Sequence, residues 1–172
     1  MLIRQETADD HGRVDAVHRS AFAGPAADVE PVEVGLVREL RDDAGYIPSL
    51  SLVAVDATGF VIGHVICTRA HLDSGRAVGL GPLGVVREQQ ANGVGSALMH
   101  AVLAAADALE FDIVVLLGHR EYYPRFGFVP AGSVGIAAPD PAWGDHFQAR
   151  PLTRWTSAVG GRFHYASPFD RI

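Results

Sequence analysis

Apolar residues recur at helical spacing in two segments near the start of the chain. The first follows residues 7–10, where a capping Thr and two acids are typical of a helix start, and it is predicted to end near Phe22. Its apolar face has three residues: Val14, Val17 and Ala21. Gly24 and Pro25 break the pattern before a second amphipathic helix, which is predicted to end before Gly45. The apolar positions of this helix are Val29, Val32, Leu36, Val37 and Leu40.

Three strands are predicted after the second helix. Residues 51–55 and 60–69 are rich in Val and Ile, and the turn-forming residues 56–59 join them, so they should form a hairpin. A second turn at 73–75 leads into a third strand over 77–86. Three consecutive strands with short turns predict an antiparallel meander.

A strand, a helix and another strand form the next unit. The third helix is predicted from apolar residues on one face: Val94, Ala97, Leu98, Ala101, Val102, Ala105 and Leu109. The apolar run 113–117 predicts a buried strand, and the Gly- and Pro-rich tail from Val129 offers strand candidates at 133–137 and 146–152. Counting a strand at the start, the order is β, α, α, β, β, β, α, β and a β-rich end. We interpret residues 1–172 as a single domain.

Composition narrows the classes of partner. The chain has 20 acidic and 14 basic residues, and its net charge of −6 argues against a general attraction to nucleic acid or to anionic membranes. No apolar segment of signal-peptide length begins the sequence, and no later run approaches the roughly 20 residues that span a bilayer. We therefore expect a cytoplasmic protein. The single cysteine, Cys67, excludes an intrachain disulfide, and no histidine spacing indicates a metal site.

The most informative segment, residues 81–98, leads from the third strand of the meander into the third helix through a loop of small residues. The candidate phosphate-binding residues within it are Gln90, Ala91, Asn92, Gly93, Val94, Gly95 and Ser96. Glycines here let a ligand approach the backbone, and the free N–H groups of a helix's first turn attract a phosphate. A glycine turn that only caps the helix would explain the same spacing. The dinucleotide motif GxGxxG is absent because Leu98 occupies its third glycine position, and the Lys-Ser/Thr ending of a P-loop is also absent.

The segment from Gln90 to Gly95 resembles the acetyl-CoA motif of the GNAT superfamily of N-acetyltransferases, Gln/Arg-x-x-Gly-x-Gly/Ala. The sequence from Tyr123 to Phe128 is similar to the family's Tyr-x-x-x-Gly-Phe segment and follows the strand predicted at 113–117. The resemblance implies a mixed α/β fold whose central, mostly antiparallel, twisted sheet of about six to seven strands is splayed at the fourth strand. Helices would flank both faces of this sheet, and a homodimer is compatible with the family.

The resemblance also implies how acetyl-CoA binds, with no metal. Its pantetheine arm would pair like an added strand with the backbone of three residues: Leu83, Gly84 and Val85. The amides from Gln90 to Ser96 would hold the pyrophosphate. Pro82 is compatible with a bulge at the splayed strand or with an ordinary strand edge. Arg87 stands where the family often has proline and Ala91 where glycine is common, and both affect the stiffness of the loop more than phosphate binding.

The expected reaction transfers an acetyl group directly from acetyl-CoA to a primary amine of a small molecule or a protein. By resemblance, Tyr123 contacts the cofactor and protonates the CoA sulfur, which suits a phenol that stays protonated at neutral pH. The N–H of Val85 would meet the oxyanion. The strand at 77–86 has no carboxylate, so the candidates for the general base are Glu33 on the second helix and His119 and Glu121 just past the next strand. His119 comes first, because the C-terminal end of a strand lies near the cleft in such sheets and imidazole titrates near neutral pH.

Two alternatives stay open on sequence alone. A binding module of the same fold would sense acyl-CoA or dock a partner without turnover, and Tyr123 would then simply pack in the core. In a covalent route, Cys67 would carry the acetyl group with His64 or His71 as the activating base, although a cysteine in an apolar strand is usually buried and inert. The identity of the acceptor does not follow from the sequence.

Overall fold

A computed structural model of the chain describes residues 1–24 and 29–171. The α-helices within these ranges are α1 (His11–Phe22), α2 (Val32–Asp42) and α3 (Val94–Ala108). The strands are β1 (Leu2–Gln5), β2 (Tyr46–Val55), β3 (Val61–Ser74), β4 (Ala77–Val85), β5 (Ile113–Leu117), β6 (Val129–Pro130), β7 (Ile136–Ala137), β8 (Phe147–Pro151) and β9 (Gly160–His164). No helix in the described ranges is both long enough and apolar enough to cross a membrane.

The strands form one large sheet in the order β1-β2-β3-β4-β5-β8-β6, with β9 paired to the far end of β3 and to β7. Neighbours on the main path are antiparallel except β4 and β5, which run parallel and are connected through α3. The predicted mixed α/β fold with a mostly antiparallel sheet is therefore confirmed. The described sheet has nine strands rather than six or seven, because short pairings in the tail add β7 and β9.

Differences from the predicted boundaries have local causes. α2 begins at Val32 rather than at Val29, since Pro31 forces the residue before it out of the helical region. β2 begins at Tyr46 and contains Pro48, which the sequence places in a loop; the proline sits where the β2–β3 register is irregular. The predicted break at Pro25 lies outside the described residues.

The tail differs most from its prediction. Of the candidate strand at 133–137, only Ile136–Ala137 pairs, because the preceding residues form a 3₁₀ helix, Ala131–Val134. The candidate at 146–152 is confirmed as β8. β9 begins with two glycines, which hide its alternating pattern, and its pairing extends β3 as far as Ser74.

Helices cover both faces of the sheet, as predicted. Leu98 of α3 packs in one apolar cluster with Val65 of β3. Leu40 of α2 packs with Ile66 in a second cluster on the opposite face, because neighbouring strand residues point to opposite sides. A third cluster around Phe163 lies under the C-terminal segment. Burying each such side chain contributes about 1.5 to 3 kcal/mol.

The parallel pairing of β4 with β5 ends early. It joins three residue pairs, of which the last is Gly79 with Val115. Beyond this point β4 continues to Val85 and, among the strands of the described residues, pairs with β3 alone. One extra β4 residue between Leu80 and Leu83 forms a bulge. We call the resulting gap between β4 and β5 the fork. The predicted splay at the fourth strand is confirmed.

A buried polar chain ties the two helices on the α1 face to the sheet. Arg41 donates to Glu6 at 2.5 Å, and Ser51 donates its single hydroxyl proton to the same carboxylate at 2.5 Å. The Ser51 oxygen therefore accepts from Nε2 of His64 at 3.0 Å. Nδ1 of His64 carries no proton in the neutral ring, so it accepts a hydrogen bond from His18 Nε2 at 2.9 Å. The proton count thus assigns one tautomer to each imidazole and leaves His18 Nδ1 without a proton.

Burial sets the protonation state of this chain. It lowers the pKa of His18 to about 2 and lowers the pKa of His64, so both rings are neutral in the folded protein. Burial also acts to raise the pKa of Glu6, but the guanidinium of Arg41 and the hydroxyl of Ser51, which both donate to this carboxylate, keep its pKa below the usual range. The folded chain therefore holds one carboxylate, one guanidinium and two uncharged imidazoles in its interior.

The free energy of unfolding should fall as the pH drops below about 6.5, where the two imidazoles take up protons only in the unfolded chain. The loss should reach about 1.4 kcal/mol per pH unit for each histidine. Glu6 adds to the loss as the pH falls below its ordinary pKa of about 4.5, because the folded chain holds this carboxylate charged. Urea unfolding followed by circular dichroism between pH 7.5 and 5 measures the slope.

The variant His18→Gln keeps a donor for His64 but does not titrate, so it should roughly halve the slope between pH 6.5 and 5. The exposed His71 supplies the control, and His71→Asn should leave the slope unchanged. An unchanged slope in His18→Gln would contradict the assignment of a neutral buried His18.

Candidate active site at the fork

The loop between β4 and α3 carries the residues predicted to hold a pyrophosphate. After a 3₁₀ turn at Arg87–Gln89, the side-chain amide of Gln90 donates to the carbonyl oxygen of Val85 at 3.1 Å. Gly93 caps α3 with φ of 82°, a left-handed conformation that favours glycine. A Cβ built on Gly93 meets no atom within 4 Å, so the surface of the loop is open there.

The first turn of α3 has the properties of an anion site. It contains no acidic residue, and its N-cap residue, Gly93, has no side chain to cap it. The N–H groups of Val94, Gly95 and Ser96 lie at the positive end of the helix dipole, where a phosphate is stabilised. The predicted residues from Gln90 to Ser96 all lie in this loop or in this turn.

Gly95 also makes room for an aromatic neighbour. A Cβ at Gly95 would lie 3.0 Å from the hydroxyl oxygen of Tyr122. The guanidinium of Arg125 lies over the Tyr122 ring, 4.8 Å from its centroid. Because Gly95 has no side chain, Tyr122 can lie close to the start of α3, together with the guanidinium of Arg125 that stacks on its ring.

The end of β4 presents backbone to the fork. Leu83, Gly84 and Val85 pair with β3 along one edge, and β5 has already separated from the other edge. An extended ligand can therefore bind that edge as an added strand. A Cβ at Gly84 would lie 2.9 Å from His18 Nδ1, so the buried polar chain ends directly against this strand.

Tyr123 opens the 3₁₀ helix Tyr123–Phe126, just beyond the end of β5. Its ring lies over Gly118, where any Cβ would collide with it, and it packs edge-on against Phe128 with centroids 5.8 Å apart. Burial, with a smaller contribution from Tyr122, raises the pKa of Tyr123 to about 12. The phenol therefore keeps its proton at neutral pH, as an acid for a thiolate leaving group requires.

The candidate bases differ in position. His119 and Glu121 line a cavity of about 870 Å³ beyond the end of β5. His119 also lines a neighbouring cavity of about 400 Å³ with Trp143. Glu33 lies in the first turn of α2 and lines neither of these two cavities. The structure therefore groups His119 and Glu121 with Tyr122 beyond the end of β5. His119 alone of the three candidates also lines the cavity beside Trp143, a residue of the cluster around Phe163 on the other face of the sheet.

Cys67 has no features of a nucleophile. It is fully buried in the cluster on the α3 face, and burial raises the pKa of its thiol. His64, a proposed activating base, is hydrogen-bonded to Ser51 and His18 instead. Within residues 1–24 and 29–171, no three His, Cys, Asp or Glu side chains come together as a metal site would require.

Sequence reasoning missed two features of this region. The pairing of His18 with His64 joins residues 46 positions apart, so no local pattern reveals it. Tyr165 lies just after β9, in the tail where the strand pattern is weak, and packs against Gly79 at the base of the fork. A tyrosine near the end of the chain does not by itself indicate a contact with β4.

Comparison with known proteins identifies the family. Residues 17–128 match the model of the Acetyltransferase (GNAT) family. The chain belongs to this family. It is 35% identical over 144 residues to the uncharacterized N-acetyltransferase YjhQ of Escherichia coli K12, an alignment that covers 79% of each protein.

Solved structures of GNAT proteins match nearly the whole chain. A GNAT family N-acetyltransferase of Escherichia coli, YhbS, crystallised with CoA, has a TM-score of 0.85 and 30% identity over 99% of this chain and 92% of its own. A GNAT acetyltransferase of Brucella melitensis, crystallised with acetyl-CoA, has a TM-score of 0.77 and 30% identity over 98% of this chain and 97% of its own. The predicted family, fold and acyltransferase class of this GNAT protein are therefore confirmed.

The loop suggests a stability test. Ala91, where the family commonly has glycine, adopts φ of 61°, which an L side chain disfavours by about 1 to 2 kcal/mol. Ala91→Gly should therefore raise the free energy of unfolding by about 0.5 to 1 kcal/mol after the added entropy of the unfolded chain is subtracted. Urea denaturation measures the change. Ala97→Gly inside α3 is the control and should lower stability by about 1 kcal/mol; a similar loss at Ala91 would contradict the prediction.

Proposed function

We propose that this GNAT protein transfers the acetyl group of acetyl-CoA directly to a primary amine. The observation that carries the proposal is the fork itself, which combines a strand edge left unpaired by β5, a helix start without a side-chain cap and a protonated phenol. Two relatives that match nearly the full chain were crystallised with CoA and with acetyl-CoA, which supports the choice of cofactor.

In this proposal the cofactor follows the elements of the fork. The pantetheine amides hydrogen-bond to the free edge of β4 at Leu83, Gly84 and Val85, and the pyrophosphate accepts hydrogen bonds from the amides between Gln90 and Ser96. The thioester then lies within the fork. The N–H of Val85 is our candidate for stabilising the oxyanion.

The chemistry needs one acid and one base. The amine nitrogen attacks the thioester carbonyl, the C–N bond forms, and the C–S bond then breaks. Tyr123 gives its proton to the departing sulfur, and the proton lost by the amine passes to a base. His119 is the first candidate for that base, with Glu121 second because it lines the same cavity. Glu33 is third, since it lines neither cavity beside His119.

Tyr123→Phe should lower kcat by about 100-fold, because general acid catalysis commonly contributes a factor of about 10² to 10⁴. The Kd for acetyl-CoA should change little, since the ring and its packing against Phe128 are kept. Thiol release from acetyl-CoA across a panel of primary amines measures turnover, and calorimetry measures the Kd. Tyr122→Phe is the matched comparison and should keep most of the turnover; if Tyr123→Phe keeps it equally well, the phenol is not the acid.

The base is tested by the pH dependence of kcat. His119→Ala should remove the limb of the pH-rate profile that reports deprotonation of the base, and added imidazole should restore part of the rate. Glu121→Gln serves as the matched variant from the same cavity. A His119→Ala enzyme with an unchanged limb would move the role to Glu121 or Glu33.

The acceptor belongs to the class of primary amines, and its identity is left to the amine panel. A cytoplasmic location and a homodimer stay predictions from the sequence and from the family resemblance. Cofactor binding without turnover on any amine would favour the acyl-CoA sensor over the enzyme.

A further inference from the structure

Tyr165 occupies the base of the fork. A Cβ built on Gly79 would lie 2.5 Å from Cδ1 of Tyr165 and 2.8 Å from its Cε1, so the ring lies directly on this glycine. Gly79 is the last β4 residue that pairs with β5. The ring of Tyr165 therefore covers the point at which the two strands separate.

Tyr165 and Tyr123 reach this point from opposite faces of the sheet. Tyr123 packs beside the cluster that includes α3. Tyr165 packs beside the cluster around Phe163, and the ring centroids of Tyr165 and Phe163 lie 4.8 Å apart. Burial raises the pKa of Tyr165, with a smaller contribution from the phenol of Tyr123. The fork thus lies between two protonated phenols.

The hydroxyl of Tyr165 is buried and has no hydrogen-bond partner among the described residues. Buried polar groups in folded proteins are nearly always hydrogen-bonded, so such a group calls for an explanation. Aromatic neighbours hold the ring on several sides: Trp143, Phe147, Phe163 and Phe169. The ring is therefore held in place, and its hydroxyl group can bond a molecule that enters the fork.

The geometry points to the acceptor as that partner. We propose that the Tyr165 hydroxyl oxygen accepts a hydrogen bond from an N–H of the acceptor amine and thereby positions it for attack on the thioester. A neutral primary amine has two N–H bonds and one lone pair; holding one N–H at Tyr165 directs the lone pair toward the carbonyl. The inference rests on the proposed acetyl transfer, and it is confined to the face of the fork opposite α3.

The amine is a better partner for the Tyr165 hydroxyl than the cofactor, because the two ligands occupy different faces of the sheet. The α3 face carries the helix start proposed for the pyrophosphate and the phenol proposed for the sulfur, so the cofactor occupies that side. A direct transfer needs the nucleophile to approach the carbonyl from a different direction. Tyr165 stays protonated, so it orients the amine without accepting its proton, and the base remains a separate group.

A conjugate that needs no turnover provides the test. CoA alkylated on sulfur with N-methyl-2-chloroacetamide, which loses chloride, carries an S–CH₂–C(=O)–NH–CH₃ group. Its amide N–H stands in for the acceptor nitrogen bonded to the acetyl carbon. Calorimetry compares its Kd with that of CoA for the wild type and for Tyr165→Phe. We expect Tyr165→Phe to weaken conjugate binding by about tenfold, the usual size of one hydrogen bond, and to leave the Kd for CoA unchanged.

Thermal unfolding separates this role from a structural one. Phenylalanine leaves no buried hydroxyl without a partner, so Tyr165→Phe should melt at the same temperature as the wild type or higher. Tyr46→Phe, at the far end of β2, is the matched control and should bind CoA and the conjugate as the wild type does. A lower melting temperature together with equal weakening for both ligands would assign Tyr165 to the fold and overturn the inference.

Other results of the binding experiment separate the role of Tyr165 from the proposed acetyl transfer. If the wild type binds CoA and Tyr165→Phe binds the conjugate equally well, the role of Tyr165 is overturned and the proposed function stands. If the wild type binds neither CoA nor acetyl-CoA, the proposed function fails and the inference fails with it. If an amine substrate is found in the panel, Tyr165→Phe should raise its KM at least tenfold.

Discussion

The hydrogen bonds between β4 and β5 end at the pair of Gly79 and Val115, and the other features of the site depend on this early ending. Beyond it, no strand within residues 1–24 and 29–171 pairs with one edge of β4, although this edge lies inside the sheet. Backbone groups at such an edge need partners, and an extended ligand can supply them. The loop and α3 follow directly from the end of β4, so the free edge leads continuously to a helix start that attracts phosphate.

Two glycines without side chains leave space for aromatic rings at the fork. Gly79 gives space to the ring of Tyr165 on one face, and Gly118 gives space to the ring of Tyr123 on the other. A side chain at either position would push a phenol away from the gap. These glycines act through the aromatic residues they admit, whereas Gly93 acts through its own left-handed backbone at the start of α3.

The parts of the molecule with strong local patterns could be predicted from the sequence. Three amphipathic helices, the meander and β5 follow from periodicity, and the segment from Gln90 to Gly95 indicated the family. What the sequence could not show depends on tertiary contacts or on backbone angles. The pairing of His18 with His64 arises only when α1 crosses β3. The positive φ of Ala91 has no signal in the residue type itself, and its only indication is the glycine common at this position in the family. The place of Tyr165 at the fork depends on its contact with Gly79, which is far away in the chain.

The short pairing between β4 and β5 has a mechanical consequence. Three residue pairs are the direct link between the β1–β4 part of the main sheet and the part formed by β5, β8 and β6. With a pantetheine arm in the proposed position, the cofactor becomes a removable strand that stiffens this joint. Each catalytic cycle then ends with the extraction of that strand, so the departure of CoA resembles the opening of a sheet more than the emptying of a pocket.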